Sequence, residues 1–388
     1  MKRVYILLCL LLALALPAAA LVPGDMNGDG VIGRDEFAGM VLSFLAGGED
    51  APPLAEVQDA APLYLEGEET VTPASPPSRV VVFNGETLET LRSLGIGPSS
   101  VVGIDKFSAQ RPEFFPEYRN TTVVGSVWSP DYETVVSLHP DAVFLYATTS
   151  KDACDEIQKK IQASNPEIRV YRFDCFRPEN YADEVRALGA IFGREAEVER
   201  FAGFYTNTLD TISAETAGIP EAERTTVYLE NWKDYKTGAA GSGYEDKIVR
   251  AGGKNVFSSL PAEYPEVDPE AVIAADPDVI VKLIGAGSYA YGGYQNKDLD
   301  RIPATHAGLF NRPGWTDLAA VKEKRVYLLH NDIFGGAEHF IGIAYLAKWS
   351  YPDRFAGLDP EALHRTYLNE YQHLGIDPAG MQFVYPAI

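Results

Sequence analysis

Cysteine is scarce in this chain of 388 residues, which contains three, and one of them lies in the N-terminal apolar segment. Only Cys154 and Cys175 belong to the body of the chain. A scaffold held together by many disulfides is therefore excluded, and one disulfide at most is available. The sequence leaves open whether these two residues pair or remain separate thiols.

Positive charge is also scarce. The chain has 33 Lys and Arg against 55 Asp and Glu, for a formal net charge of −22. A surface this acidic repels phosphate backbones and anionic head groups. Nucleic acid and anionic lipid are therefore not expected as partners.

Long apolar runs are missing beyond the N-terminus. Residues 4–16 form one such run, which follows Lys2 and Arg3 and precedes three alanines at 18–20. This pattern is typical of a signal peptide over residues 1–20, and the run is shorter than the ~20 residues that span a bilayer. We expect an exported protein, either periplasmic or at the cell surface, with an uncleaved anchor as the alternative. Cleavage would remove two basic residues and no acid, so the net charge would become −24.

Two kinds of chemical signature are absent from the sequence. The six histidines are scattered without a His-rich tract, which disfavours a dedicated zinc or manganese carrier. There is no nucleophile elbow, phosphate-binding glycine loop or paired catalytic histidine motif, so neither an enzyme nor a catalytic cofactor is expected.

A calcium-binding loop is present near the N-terminus, in the sequence DMNGDGVIGRDE. It matches the twelve-residue oxygen-ligand loop, with a glycine at the sharp turn. The predicted Ca²⁺ ligands are Asp25, Asn27, Asp29, Val31 through its carbonyl, and Glu36. The stretch 21–45, loop plus exiting helix, resembles one repeat of a dockerin, the module that binds cohesins. Dockerins carry two repeats and usually close with Asp, so a cohesin-like partner competes with a plain calcium-stabilised appendage.

The remaining sequence divides into a linker and two similar halves. Residues 46–78 are rich in Pro, Ala and Glu and lack a sustained period, which indicates an extended linker. From residue 79 onward, short β-branched runs alternate with amphipathic ones, and this order restarts after residue 225. Alternating strands and helices predict an α/β fold with parallel sheets covered on both faces. We place the N-terminal lobe at 79–178 and the C-terminal lobe at 219–388.

One phrase is written in both halves. YETVVSLHPDAVFLY at 132–146 and PEAVIAADPDVIVKL at 269–283 each contain Glu, then Pro-Asp seven and eight residues later, then a strand. Pro-Asp before a strand is a common turn, but two matched copies indicate the same helix, turn and strand in each lobe. Between the lobes, residues 179–218 form a helical connector, and residues 194–218 have apolar residues at helical spacing without a proline.

Together with the motifs AGGKNVF and EAVIAADPDVIV, this organisation resembles the helical-backbone binding proteins of ABC importers, which capture ferric siderophores, haem and cobalamin. The resemblance covers roughly residues 78–375. It implies two Rossmann-like lobes joined by a single long helix, with a ligand cleft between them. It also implies that Glu133 and Glu270, one on each lobe, dock against the ABC permease subunits.

Candidate cleft residues follow from the position of the strands, because ligands of open parallel sheets lie beyond the carboxyl ends of the strands. The predicted ligand-binding residues are Asn84, Lys106, Phe107, Trp128, Tyr146, Trp232, Tyr235, Tyr244, Tyr289, Tyr291, Tyr294, His330 and Phe334.

The loop GAGSYAYGGYQ carries three of these tyrosines. Aromatic side chains on such a loop suit a broad, planar or catecholate-like ligand, and their phenolates are candidate Fe(III) ligands. The alternative is a loop that packs on its own lobe or binds a partner. Lys106, Lys233 and Arg312 are candidates to neutralise an anionic chelate.

The sequence thus favours an extracytoplasmic solute-binding protein that delivers a small-molecule metal chelate, a ferric siderophore or haem, to a permease. Cobalamin is the second choice of ligand and an oxyanion such as molybdate the third. A calcium-dependent adhesion or interaction protein at the cell surface is the alternative of another class.

Overall fold

A computed structural model describes residues 75–387 of the chain. The predicted signal peptide at 1–20, the calcium loop and helix at 21–45 and most of the linker at 46–78 lie outside the described residues. Within the described part, no helix combines the length and the apolarity needed to cross a membrane.

The described strands form two sheets of five strands and one short hairpin. In chain order they are β1 Val80–Val82, β2 Val101–Ile104, β3 Thr122–Val123, β4 Gly125–Ser126, β5 Ser129–Pro130, β6 Ala142–Leu145, β7 Arg169–Arg172, β8 Thr226–Glu230, β9 Lys254–Asn255, β10 Val279–Ile284, β11 Val326–His330 and β12 Val384–Tyr385. The first sheet has the order β3-β2-β1-β6-β7 and the second β12-β11-β10-β8-β9, while β4 and β5 form the hairpin. All pairs within the two large sheets are parallel except β11 with β12.

Helices cover the faces of both sheets. The α-helices are α1 Gly85–Ser93, α2 Lys106–Ala109, α3 Tyr132–Ser137, α4 Lys151–Ser164, α5 Tyr181–Phe192, α6 Glu195–Thr216, α7 Gly243–Arg250, α8 Pro269–Ala275, α9 Arg301–Phe310, α10 Ala319–Lys322, α11 Asp332–Gly335, α12 His339–Ser350 and α13 Pro360–Thr366. Short 3₁₀ turns occur at Pro116–Tyr118, Glu221–Glu223, Gly287–Tyr289, Gly293–Gln295, Trp315–Asp317 and Pro378–Gly380, and a π-helical turn occurs at Tyr367–Tyr371.

The central strands are apolar because helices bury both of their faces. All residues of β1, β6 and β10 are buried, and each strand is written almost entirely in β-branched and other apolar residues. One exception is Lys282 in the middle of β10, which is 0% exposed. The predicted mixed α/β fold with two parallel sheets is confirmed.

The two copies of the repeated phrase adopt the same local structure. Asp131 and Asp268 cap the N-termini of α3 and α8, accepting hydrogen bonds from the backbone N–H groups of Thr134 and Glu270. Each helix is followed by a turn and then by a buried strand, β6 or β10. The sequence is therefore repeated because each lobe contains one copy of the same capped helix, turn and buried strand.

The long helix predicted between the lobes is α6, and a separate helix, α5, precedes it within the connector. α5 ends at Gly193, whose φ of 63° is left-handed, and α6 then runs for 22 residues. The two helices pack so closely that a Cβ at Gly189 would lie 2.0 Å from a methyl carbon of Val198. The predicted long helix over 194–218 is thus present, while the first part of 179–218 is a separate helix.

The two lobes share a core on either side of α6. On this helix, Tyr205 packs edge-to-face on Tyr181 of α5, and its hydroxyl lies 2.8 Å from Nε2 of His339 on α12. The chain then returns to the first lobe after α13, where Arg92 Nε donates to Gln372 Oε1 at 2.6 Å. The segment around Gln372 therefore packs on the lobe that precedes the connector, although the sequence placed all of 219–388 in the second lobe.

Candidate ligand-binding cleft between the lobes

Two cavities lie at the carboxyl ends of the strands, where loops of both lobes face each other. The first has a volume of about 290 Å³ and the second about 450 Å³. Phe107 and Arg111 line both of them. Together the two cavities form what we call the cleft. Its other lining residues are Phe83, Gly85, Glu86, Asp105, Ser108, Gln110, Glu113, Phe114, Ser126, Trp128, Tyr146, Trp232, Gly285, Ala290, Tyr291, Gly292, Tyr294, Gln295, Lys297, His330, Asn331 and Asp332.

The rim of the cleft is aromatic. Phe107 and Trp128 are 45% and 61% exposed, and their rings pack edge-to-face with centroids 5.7 Å apart. Trp232 of the other lobe lines the same cavity, and the Lys106 ammonium lies 4.9 Å from the centroid of the Phe107 ring. Large exposed aromatic side chains that converge on a cavity are characteristic of a binding surface. All four residues were predicted from their positions at strand ends.

An ion pair crosses the cleft from one lobe to the other. Nη2 of Arg111 lies 3.0 Å from Oδ1 of Asp332, and the guanidinium also stacks on Phe114, 4.8 Å from the ring centroid. Asp332 begins α11, where its backbone N–H donates to Nδ1 of His330 at 3.1 Å and its Oδ2 accepts from the backbone N–H of Tyr294 at 3.2 Å. Burial alone would raise the pKa of Asp332, but His330 and Arg111 hold it well below its usual range. Asp332 is therefore a permanent carboxylate beside Arg111.

The tyrosines of the cleft use their hydroxyl groups inside the protein. Tyr146 donates to Glu86 at 3.0 Å, Tyr294 donates to Glu338 at 2.5 Å, and the hydroxyl of Tyr291 pairs with a threonine hydroxyl on α9. Burial raises the pKa of all three phenols, and the adjacent carboxylates raise those of Tyr146 and Tyr294 further. Each of the three hydroxyl groups thus already has a partner within the protein, and ligation of Fe(III) by phenolates stays a prediction.

Three predicted ligand-binding residues lie inside the protein instead of lining the cleft. Asn84 caps α1 by accepting from the backbone N–H of Thr87 at 2.7 Å, and its amide donates to the carbonyl of Phe173 at 3.2 Å. Phe334 is 0% exposed and stacks on Tyr244, with ring centroids 6.0 Å apart. Strand ends carry caps and core residues as well as ligand contacts, and the position in the sequence does not separate these roles.

Two more predicted tyrosines belong to a charged cluster on the second lobe. Tyr289 donates to Asp234 at 2.7 Å, and the Lys282 ammonium lies 4.2 Å from the centroid of its ring. Tyr235 packs beneath Arg312, whose guanidinium carbon lies 4.7 Å from the ring centroid. Tyr289 therefore packs beside buried Lys282 and its partner Asp234, while Gly285, Ala290 and Tyr291 of the same loop line the cleft.

Two of the three cations predicted to neutralise an anionic ligand form ion pairs with carboxylates of the protein. Arg312 makes two hydrogen bonds, of 2.8 and 2.9 Å, to the two carboxylate oxygens of Glu230. Lys233 lies 2.5 Å from a carboxylate oxygen of Glu266. Lys106 remains at the rim of the cleft through its contact with Phe107.

Sequence reasoning missed the charged residues of the cleft. Arg111 lies several residues beyond the end of β2, after the short helix α2, so the strand-end rule did not reach it. Asp332 stands two residues after His330 and was passed over in favour of its neighbours. Asp105 directly precedes the selected Lys106, and Glu86 stands two residues after the selected Asn84, so the rule would have found both had it covered two more positions.

The two predicted docking residues have matching environments on the two lobes. Glu133 and Glu270 are both exposed, and each lies in the first turn of its helix, α3 or α8. In the part of the chain that the structure describes, neither side chain makes an ion pair within 4.0 Å. Both carboxylates are thus free to meet a partner.

Two mainly parallel five-stranded sheets, a helical connector and a cleft between the lobes give this chain the architecture of a two-lobed solute-binding protein. The sequence profile of the periplasmic binding protein family matches residues 80–333, and the chain belongs to this family. The family is one of substrate-binding proteins, and the chain is an exported member of it.

Curated relatives are distant but cover most of the two lobes. An uncharacterized ABC transporter substrate-binding lipoprotein, YvrC of Bacillus subtilis, is 24% identical over 290 residues, which are 74% of this chain and 83% of the relative. The vitamin B12-binding protein of Salmonella typhimurium is 25% identical over 209 residues, 54% of this chain and 73% of the relative. The cobalamin-binding protein of Halobacterium salinarum is 25% identical over 246 residues, 62% of this chain and 59% of the relative.

Solved structures show the same fold. The TroA-like periplasmic binding protein FepB from Veillonella parvula superposes with a TM-score of 0.68 at 24% identity, covering 77% of this chain and 92% of that one. The molybdate-binding protein MolA of Haemophilus influenzae superposes with a TM-score of 0.59 at 20% identity, covering 76% and 93% of the two chains.

Proposed function

We propose that this protein is the solute-binding component of an ABC importer and that it captures a corrinoid of the cobalamin class in the cleft. The observation that carries the proposal is the aromatic rim, with Phe107 and Trp128 on one lobe and Trp232 on the other. Aromatic faces on both sides of a cleft suit a large, flat ligand, because the rings contact the edge of the ligand without a charged group on either side. The curated relatives named for binding cobalamin or vitamin B12 support this choice.

The charge of the cleft supports a neutral or cationic ligand. Arg111 is paired with Asp332, and Glu86 and Asp105 line the larger cavity. Cobalamins are neutral or cationic, whereas ferric catecholates and molybdate are anionic. We therefore rank cobalamin first, ahead of the ferric chelate or haem that the sequence analysis placed first.

A ferric chelate or haem is the second candidate. Lys106 at the rim and the exposed Lys297 at the smaller cavity are two cations that carboxylates of such a ligand would meet. Ferric chelates and haem therefore also serve as competing ligands in the binding experiment described below. The adhesive alternative gains no support from the described residues, since it leaves the cleft without a role.

Delivery of the ligand would require contact with a permease. We infer that Glu133 and Glu270 make this contact, because each presents a free carboxylate on the first turn of an equivalent helix in its lobe. Two acidic side chains set on separate lobes would orient the protein on a basic surface and raise the association rate more than the affinity. In this proposal the chain binds and releases its ligand without chemical change.

The ligand is tested by native mass spectrometry and absorption spectroscopy on protein purified from its own host, followed by calorimetric titration with cyanocobalamin. We expect a coloured bound mass or a saturable titration. In the variant Trp128→Ala the affinity should fall at least tenfold, because this side chain contributes the largest exposed aromatic surface of the rim.

The matched control is Tyr264→Ala, which removes another exposed aromatic residue, 42% exposed, that lines neither cavity. Its affinity should stay within twofold of the natural protein. A protein that takes up a ferric chelate or haem but no corrinoid would establish the second candidate. A protein that takes up none of these ligands would overturn both.

A further inference from the structure

We propose that Asp332 is a specificity-determining residue, which makes the cleft reject anionic ligands by keeping Arg111 neutralised. The inference rests on the proposed function in that it treats the cleft as the ligand site. It adds the residue that decides which charge the site accepts.

Arg111 is the cation best placed to meet a ligand. It lines both cavities, its side chain is 31% exposed, and its guanidinium stacks on Phe114 at 4.8 Å. A planar guanidinium held on an aromatic ring presents its N–H groups in a fixed orientation, which suits two-pronged recognition of carboxylate, catecholate or oxyanion. Taken alone, Arg111 would therefore make this an anion site.

Asp332 removes that capacity. Its Oδ1 lies 3.0 Å from Nη2 of Arg111, and its Oδ2 is fixed by the backbone N–H of Tyr294 at 3.2 Å. The side chain is 19% exposed, so little water screens the pair. An entering anion would have to lose its hydration beside a fixed carboxylate and share the guanidinium with it, because Nη2 of Arg111 already donates to Asp332.

The other charges of the cleft do not restore a positive surplus. Glu86 and Asp105 line the larger cavity together with Arg111. In the smaller cavity, Glu113 and Lys297 are both exposed and carry opposite charge. With Asp332 in place, formal charge on the lining residues is negative in one cavity and near balance in the other. Specificity then comes from a repulsive element built into the site.

The test compares Asp332→Asn with the natural protein, both as the full chain. Asparagine keeps the shape of the side chain while removing its charge. The probes are cyanocobalamin, which is neutral, and two anions, molybdate and a ferric tris-catecholate. We expect the ratio of anion affinity to cyanocobalamin affinity to rise at least tenfold, and the gain to shrink as salt is added.

Two further variants identify the cause. Glu199→Gln removes an exposed carboxylate of α6 that lines neither cavity, and we expect it to change the ratio less than twofold. The double variant Asp332→Asn with Arg111→Gln should lose the gain, because the freed guanidinium is what binds the anion.

The outcomes separate this inference from the proposed function. If Asp332→Asn melts like the natural protein yet gains no affinity for either anion, the inference is overturned. If Asp332→Asn does not fold, Arg111→Gln alone decides. Leaving Asp332 without its cation should then favour cationic aquocobalamin over cyanocobalamin at least threefold, and an unchanged preference overturns the inference. If the natural protein binds no corrinoid but the variant gains anion affinity, the proposed ligand is wrong while the role of Asp332 stands.

Discussion

Asp141 and Asp278 make the same contact in the two lobes. Asp141 accepts a hydrogen bond of 2.7 Å from the backbone N–H of Ser78, just ahead of β1, and Asp278 accepts one of 2.7 Å from the backbone N–H of Thr226, at the start of β8. Each also accepts from the hydroxyl of that residue, at 3.0 Å for Ser78 and 2.7 Å for Thr226. The aspartate of each Pro-Asp pair therefore accepts hydrogen bonds that tie together two neighbouring strands of the sheet, the strand that follows the Pro-Asp and the first strand of the lobe.

Removing this tie should destabilise the protein, more in the second lobe than in the first. Asp278 and Thr226 are partly buried, whereas the contact of Asp141 is exposed. A partly buried N–H left without an acceptor costs about 1–3 kcal/mol, and water replaces an exposed acceptor. We expect Asp278→Ala to lower the free energy of unfolding by that amount and Asp141→Ala by less, as measured by urea denaturation.

The control for this pair is Asp300→Ala, an aspartate at the start of α9 whose side chain caps no backbone group. Its free energy of unfolding should stay within about 0.5 kcal/mol of the natural protein. Equal losses for Asp278→Ala and Asp300→Ala would show that the tie contributes nothing.

A second prediction concerns pH. Burial raises the pKa of Glu338 from 4.5 to about 8, in spite of the hydrogen bond from Tyr294. A carboxyl with a raised pKa binds its proton more tightly in the folded protein than in the unfolded chain. Its stabilising contribution is complete below pH 4.5 and is lost as the pH rises to about 8.

Glu338→Gln removes this titration and keeps the shape of the protonated side chain. We expect the natural protein to lose free energy of unfolding relative to Glu338→Gln between pH 5 and pH 8, by roughly 1.4 kcal/mol for each pKa unit of the shift that falls in this range. Urea denaturation at several pH values measures the difference, and other titrating groups cancel in the comparison. Parallel curves for the two proteins across this range would contradict the prediction.

A third prediction concerns delivery to the permease. Changing both Glu133 and Glu270 to lysine should abolish import while ligand affinity stays within twofold, because both side chains lie on exposed helix turns outside the cleft. Transport of labelled ligand and calorimetric titration measure the two effects. The matched control reverses Glu199 and Glu215, two exposed glutamates of α6, and should still support import. Loss of ligand binding in the first pair would argue against docking.

A fourth prediction concerns the calcium loop, which lies outside the described residues. If Asp25, Asn27, Asp29, Val31 and Glu36 hold Ca²⁺, chelation should change only the N-terminal end of the protein. A chain that begins at Pro76 should keep its melting temperature when the chelator is added, while the full chain should release one calcium ion in equilibrium dialysis. A large fall in the melting temperature of the shorter chain would place the relevant calcium elsewhere.

The sequence predicted the fold well because its signals are local. β-branched runs such as Val80–Val82 and the capped helices of the repeated phrase specify their own structure. It predicted part of the cleft by the same logic, since Trp128 and Trp232 each stand two residues after the end of a strand. It could not show that Phe334 would be covered by Tyr244, or that Tyr289 would pack beside buried Lys282, because these outcomes depend on which side chains meet after folding.

The packing of Tyr205 between α5 and α12 has a mechanical consequence. A shared core on both sides of α6 resists wide separation of the lobes, so thermal motion alone opens the cleft little. If Glu133 and Glu270 dock on the permease as proposed, one on each lobe, a movement of the permease would act on both lobes and could separate them. On the proposed function, retention of the ligand would then depend on the stiffness of the connector, and its release on force applied by the permease.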